Sequence, residues 1–137
     1  MFRTGRPKDQ VLEPVNFTET LGPKYCDFPV LYEASGKTKV IDLPNGDVLF
    51  KNPASRVTFT NLAEPTHRLS YVATGTVRLT ELENGDLSLV TTGRTVILDE
   101  NIGIFVPIGR FTTIIDDGNF SAPVGYGRLI DVCARLA

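Results

Sequence analysis

The sequence predicts an all-β protein, an antiparallel β-barrel or β-sandwich of about 8–10 strands, and three observations support this prediction. Val, Ile, Thr, Phe and Tyr make up about a third of the 137 residues, and these stiff or aromatic side chains favour strands. Turn-forming clusters of Gly, Pro, Asn and Asp recur every 10–18 residues, which leaves room for strands of ordinary length between them. No segment has the apolar spacing of an amphipathic helix over three turns.

Two Asn-Gly turns predict β-hairpins, because this dipeptide tolerates the positive φ angles of a type I′ turn. The first hairpin joins residues 39–43 to 48–51, and the second joins residues 76–82 to 87–91. Further strands are predicted at residues 29–34, 57–61, 69–74, 94–98, 102–106, 111–115 and 129–134.

The chain is expected to consist of an arm and one domain. Residues 1–24 contain scattered Gly and Pro and apolar residues at no fixed period, so we expect an extended or flexible N-terminal arm. Residues 25–137 are predicted to form a single β domain, which is long enough to bury a core.

Overall charge argues against a nucleic-acid partner, and hydropathy argues against a membrane span. The net charge is −2 and the pI is near 5.4, whereas a nucleic-acid-binding protein needs a basic face to neutralise phosphates. No apolar run approaches the roughly 20 residues that span a bilayer. We therefore expect neither a nucleic-acid partner nor a membrane span.

The two cysteines predict a disulfide and, with it, a secreted protein. Cys26 and Cys133 lie 107 residues apart, far too distant for a redox pair or a zinc knuckle. A disulfide persists in an oxidising compartment, and the alternative is two buried thiols in a cytosolic protein. Residues 1–10 are polar and lack the apolar segment of a secretory signal, so secretion implies that a signal peptide has been removed.

Six short motifs, taken in their order along the chain, carry a resemblance. They are C-D-F-P-V at 26–30, R-V-T-F-T-N-L at 56–62, T-E-L-E-N-G-D at 80–86, T-T-G-R-T-V-I-L at 91–98, I-G-R-F-T at 108–112 and G-R-L-I-D-V-C at 127–133. From about residue 26 to its end the chain resembles a family of short secreted bacterial β proteins of uncharacterised function. The resemblance implies secretion and a β fold, and it implies no activity.

A Gly-Arg dipeptide opens three successive segments and suggests an anion site. The arginines are Arg94, Arg110 and Arg128. If the chain reverses between residues 102–106 and 111–115, Arg94 and Arg110 start strands at the same end of the sheet. Two guanidinium groups placed there would bind a carboxylate or a phosphate. The alternative is that each Gly makes a bend and each Arg is a solvated edge residue.

Asp131 and Tyr71 are further candidate ligand-binding residues. Period-two alternation over residues 129–133 places Asp131 on the same face as Cys133, and a disulfide would draw that face inward. A buried carboxylate needs a partner, and Arg110 or Arg128 would supply one. Tyr71 lies on an apolar strand face, so it is either a core residue or part of a pocket lining.

No catalytic residue, metal site or cofactor is predicted. His67 is the single histidine and lies in a loop, no G-x-S-x-G motif occurs, and zinc-ligand spacings are absent. The acidic turns at residues 99–101 and 116–119 lack the full calcium-binding loop, and ordinary turn chemistry explains them.

These observations favour a secreted, non-catalytic binding or interaction protein that uses exposed strand faces or loop ends. Its partner would be a protein or a small-molecule ligand, and a homo-oligomer is left open. The alternative is a small β-barrel enzyme or carrier that binds a hydrophobic small molecule in its lumen. Asp131, Arg110, Tyr71 and Glu81 would line that lumen.

Overall fold

The computed structural model describes residues 2–3, 13–14 and 16–137, and these residues form an all-β fold with one short helix. The strands are β1 (Phe2–Arg3), β2 (Glu13–Pro14), β3 (Phe17–Leu21), β4 (Val30–Ser35), β5 (Lys37–Asp42), β6 (Val48–Lys51), β7 (Arg56–Asn61), β8 (Arg68–Val72), β9 (Thr76–Glu81), β10 (Leu87–Arg94), β11 (Ile97–Asp99), β12 (Gly103–Asp116), β13 (Asn119–Phe120) and β14 (Val124–Asp131), and helix α1 is Val132–Leu136.

Two sheets form a sandwich-like fold, so the described residues take the second of the two predicted architectures and not a closed barrel. The large sheet has the order β1-β11-β12-β10-β9-β6-β5-β2, and β13 and β14 also pair with β12. The small sheet has the order β3-β4-β7-β8. All pairs are antiparallel except β1 with β11, as expected for strands that are joined by short turns.

Two apolar clusters lie on opposite faces of the large sheet. The larger cluster packs between the sheets, where the rings of Tyr32 and Phe59 stack with centroids 5.0 Å apart. The smaller cluster includes Phe50 and Leu89 and lies on the other face. Ile97 belongs to the smaller cluster and Leu98 to the larger, so neighbouring residues of β11 are buried on opposite sides.

Both predicted hairpins are confirmed, and they pair β5 with β6 and β9 with β10. The predicted reversal between residues 102–106 and 111–115 is wrong, because β12 runs through this segment as one strand of 14 residues. Pro107 lies opposite the break between β10 and β11, so its missing N–H costs no bond to a strand on that side. Gly109 has a φ of 126°, a positive value that glycine adopts without strain.

The sheets begin before the expected domain boundary at residue 25. Strand β3 pairs with β4 along its whole length, and Leu21 is only 1% exposed. Strands β1 and β2 pair with β11 and β5. The rest of the predicted arm up to residue 15 lies outside the described residues.

The C-terminal segment is fixed by a disulfide and a helix. The predicted disulfide joins Cys26 to Cys133, with Cα atoms 5.3 Å apart. The predicted strand at 129–134 ends at Asp131, and α1 follows it. The Asp131 side chain caps this helix by accepting a hydrogen bond from the backbone N–H of Ala134. Among the described residues, no helix has the length and apolar character needed to cross a membrane.

A row of glycines lets three strands of the large sheet approach closely. Gly93, Gly109 and Gly127 face one another across β10, β12 and β14. A Cβ atom on Gly127 would overlap the carbonyl oxygen of Ile108, and one on Gly109 would overlap that of Tyr126. The close pairing of β12 and β14 therefore requires glycine at Gly109 and Gly127.

Replacing Gly127 with alanine is expected to lower the free energy of unfolding by about 1–3 kcal/mol, because Gly127 has a φ of 122° and no room for a Cβ atom. Urea denaturation followed by circular dichroism measures this change. The matched control is Gly22→Ala, since nothing lies within 4 Å of a Cβ atom at Gly22. Equal unfolding midpoints for the two variants would show that β12 and β14 are not paired in this way.

Removing the disulfide with the double substitution Cys26→Ser and Cys133→Ser is expected to destabilise the protein by about 4–5 kcal/mol, because the bond closes a loop of 107 residues in the unfolded chain. Denaturation of the variant and the wild type gives the difference. Thiol titration of the wild type in denaturant without reductant should detect no free thiol, and two thiols per chain would contradict the disulfide.

Candidate functional site

Neighbouring rows of cross-strand pairs in the large sheet face opposite sides, because side chains alternate along every strand. One row contains Phe50, Val77, Thr91 and Phe111, and all four are buried. The next row faces the other way and is exposed or half-exposed. We call it the Lys39 row, and its members are Lys39, Lys51, Thr76, Thr92, Arg110 and Tyr126.

Two further rows lie on the same side of the large sheet, each displaced from the Lys39 row by two residues along the strands, in opposite directions. The first contains Arg94, Ile108 and Arg128. The second contains Ile41, Leu49, Arg78, Val90, Thr112 and Val124. We call the surface made by these three rows the open face.

The open face exists because the small sheet covers only part of the large one. Ile104 and Val106 of β12 are fully buried in the larger cluster, and Ile108 is partly packed against it. Farther along the same side of β12, Arg110 is exposed and Thr112 is half-exposed. The cover therefore ends near Ile108.

Three arginines meet where this cover ends, and we call them the arginine cluster. Arg94 and Arg128 pair with Ile108 from its two sides, so their Cα atoms are two strand spacings apart, about 10 Å. Arg110 is the diagonal neighbour of both, at about 7–8 Å. All three side chains are exposed, and none makes a hydrogen bond or an ion pair with another described residue.

Arg78, on the same face, is in a different state because it has a carboxylate partner. Its Nε donates to Oδ2 of Asp47 at 2.7 Å, and its Nη2 lies 2.6 Å from the same oxygen. The hydrogen bond from Arg78 holds the pKa of Asp47 below its usual range. Asp47 thus neutralises Arg78, whereas the arginine cluster keeps its full charge.

Charge is segregated on this molecule although its net charge is only −2. No Asp or Glu occupies a position in the three rows of the open face. Three acidic residues lie close together at the end of β10 and β12 where Leu87 pairs with Ile115: the negative charge of Asp86 raises the pKa of Asp116, and Asp117 adds to this effect. The open face is therefore basic, a property that net charge alone does not reveal.

The outermost strand adds exposed apolar surface to the open face. Tyr126 is 85% exposed and Val124 is 74% exposed, and both lie on β14. Strand β14 pairs with β12 on one side, and no described strand pairs with its other edge. Such side chains on a free edge strand are typical of a contact surface.

The structure brings together three of the five predicted ligand-binding residues. Arg94, Arg110 and Arg128 are neighbours, although the predicted reason was wrong, since they meet through a continuous β12 and not through a reversal. Asp131 is exposed at the start of α1, so its predicted inward orientation is also wrong. Tyr71 packs against the larger cluster, and its buried hydroxyl has no hydrogen-bond partner among the described residues.

His67 helps to hold the C-terminal helix. Its Nδ1 atom lies 3.0 Å from the carbonyl oxygen of Leu136 and 3.2 Å from Oε2 of Glu64. The side chain of Asn61 donates a second hydrogen bond, of 2.9 Å, to the same carbonyl oxygen. His67 and Asn61 therefore satisfy a carbonyl at the end of α1 that has no partner within the helix.

One open groove occurs at the end of the small sheet, with a volume of about 550 Å³. Its lining includes Phe17, Glu33, Arg56 and Thr58, and it contains none of the residues predicted to line a lumen. Over the described ranges, no group of three or more His, Cys, Asp or Glu residues has a geometry suited to a metal ion.

The sequence analysis missed Lys39, Lys51 and Tyr126 as members of a site. Alternation within residues 39–41 and 49–51 indicates which side chains share a face. Whether this face extends to Arg110 depends on how the first hairpin pairs with the second and on how β10 pairs with β12. No local sequence pattern predicts these pairings.

The Arg78–Asp47 pair is expected to make stability depend on pH. The lowered pKa of Asp47 means that its stabilising contribution is present above its unfolded value of about 3.9 and is lost as pH falls through the folded value. Asp47→Asn should therefore lower the melting temperature at neutral pH, and the difference from wild type should shrink in acid.

Asp116→Asn is the matched control, and the expected change in its melting temperature is opposite to that of Asp47→Asn. The raised pKa of Asp116 means that the ionised carboxylate destabilises the fold, so this variant should melt higher at neutral pH. That gain should also shrink as pH falls. A pH-independent effect of Asp47→Asn would contradict the role of its charge.

Comparisons with protein-family models, with curated proteins and with solved structures found no match. The resemblance to short secreted bacterial β proteins therefore stays a prediction.

Proposed function

We propose that the protein is a secreted, non-catalytic binding protein that holds a polyanionic partner on its open face. One observation carries this proposal. Five cationic side chains of that face have no carboxylate partner among the described residues, and no acidic residue lies in its three rows. These cations are Lys39, Lys51, Arg94, Arg110 and Arg128.

The magnitude of exposed charge interactions favours a polymer over a small anion. An ion pair between exposed groups contributes only about 0.2–1 kcal/mol, and salt screens it. A single small anion would contact two or three of these cations and bind weakly. A chain of linked anions contacts all of them while it loses its translational freedom only once.

Secretion is part of the proposal and is supported by the disulfide. A bond between Cys26 and Cys133 persists in an oxidising compartment, and its loop of 107 residues makes it a large contribution to stability. A protein whose fold depends on this bond suits the extracellular space.

The alternative, a barrel enzyme or carrier with a lumen, has no supporting observation. Arg110 lies on the open face, Tyr71 packs against the larger cluster, and Asp131 caps α1. Glu81 is exposed at the end of β9. These four residues therefore do not surround a common space.

The triple substitution Arg94→Ala, Arg110→Ala and Arg128→Ala is expected to weaken binding to heparin, used as a polyanionic probe, by about tenfold or more. Isothermal titration calorimetry at several salt concentrations measures the affinity. The dependence on salt should also become shallower, because fewer counterions are released.

The matched control removes three exposed arginines elsewhere, Arg56, Arg68 and Arg135, so both variants lose the same charge. Melting temperatures show whether each variant is folded. Equal losses of heparin affinity in the two variants would contradict the proposal, because binding would then follow total charge and not the open face.

A further inference from the structure

We infer that the partner is a linear acidic polysaccharide, with its chain lying across the strands along the Lys39 row. This inference rests on the proposed function and names the class of ligand. The row crosses six strands in continuous register, from Lys39 on β5 to Tyr126 on β14. At a strand spacing of about 4.8 Å, its length is about 24 Å, which is the scale of an extended polymer segment.

The order of residues within the row matches an anionic sugar chain. Lys39 and Lys51 lie at one end and Arg110 lies near the other, so carboxylates or sulfates have partners at both ends. Thr76 and Thr92 lie between them, and a threonine hydroxyl both donates to and accepts from a sugar hydroxyl. The exposed ring of Tyr126 ends the row and offers an apolar surface to a sugar ring.

The twist of the sheet favours a flexible chain over a rigid ligand. Neighbouring strands rotate by about 20–25°, so over the five spacings of the row the side chains at its two ends point in directions about 100–125° apart. A rigid, flat ligand cannot contact both ends. A polymer with a rotatable linkage at every unit can follow the row.

Single-stranded nucleic acid, the main competing polyanion, fits less well. Its binding proteins stack successive bases on several aromatic side chains. The three rows of the open face contain one aromatic residue, Tyr126, and it lies at the edge. The disulfide also favours a partner found outside the cell.

Oligogalacturonates of increasing length are the probes that test the inference. Wild-type affinity, measured by titration calorimetry, should rise with length until the oligomer spans the row. The double variant Lys39→Ala and Lys51→Ala should weaken binding of the longest oligomer about fivefold or more and leave the affinity for digalacturonate unchanged. The reason is that the two lysines lie three or more strands from Arg110.

Tyr126 provides a second test at the other end of the row. Tyr126→Ala should weaken binding of the long oligomer, whereas Tyr126→Phe should retain affinity because the ring is kept. Tyr126 is 85% exposed in the folded protein, so neither substitution should change the melting temperature.

The outcomes separate this inference from the proposed function. If the arginine-cluster variant loses heparin affinity but the lysine variant affects short and long oligomers equally, the inference is overturned and the proposed function stands. Tighter binding of oligothymidylate or of polyglutamate than of oligogalacturonate also overturns the inference. If the Arg56, Arg68 and Arg135 variant loses heparin affinity as much as the arginine-cluster variant, the proposed function itself fails.

Discussion

The pairing register of β10, β12 and β14 is the constraint on which the open face depends. Gly93, Gly109 and Gly127 face one another across these strands, and there is no space for a Cβ atom at Gly109 or Gly127. This register sets Arg94 and Arg128 on either side of Ile108. A slip of one residue would turn a strand over and move its arginine to the opposite face of the sheet.

The arginine cluster takes no part in the contacts that stabilise the fold. The packed clusters, the disulfide and the closure of α1 by His67 and Asn61 use none of the arginines. The charges of the arginine cluster are therefore not used to hold the fold together. The acidic side chains that give the chain its negative net charge occupy no position in the three rows of the open face.

Local patterns predicted those features that depend on neighbouring residues. Asn-Gly turns predicted both hairpins, and the presence of two cysteines predicted the disulfide. The strand β12 was divided wrongly because Pro107 and Gly109 resemble a turn, whereas Pro107 pairs with Leu129 and Gly109 pairs with both Gly93 and Gly127 within one continuous strand. Asp131 was placed inward because alternation was continued past the point where the strand ends and α1 begins. The Lys39 row depends on register between distant segments, which no single segment specifies.

Chemical-shift mapping with a heparin oligosaccharide shows directly whether the open face binds a polyanion. In ¹⁵N-labelled protein, the backbone amide signals that move on titration should belong to the open face, above all to Thr92, Arg94, Arg110, Tyr126 and Arg128. Signals from the small sheet should stay in place. Shifts centred on the groove near Arg56, with none on β10, β12 and β14, would contradict the account.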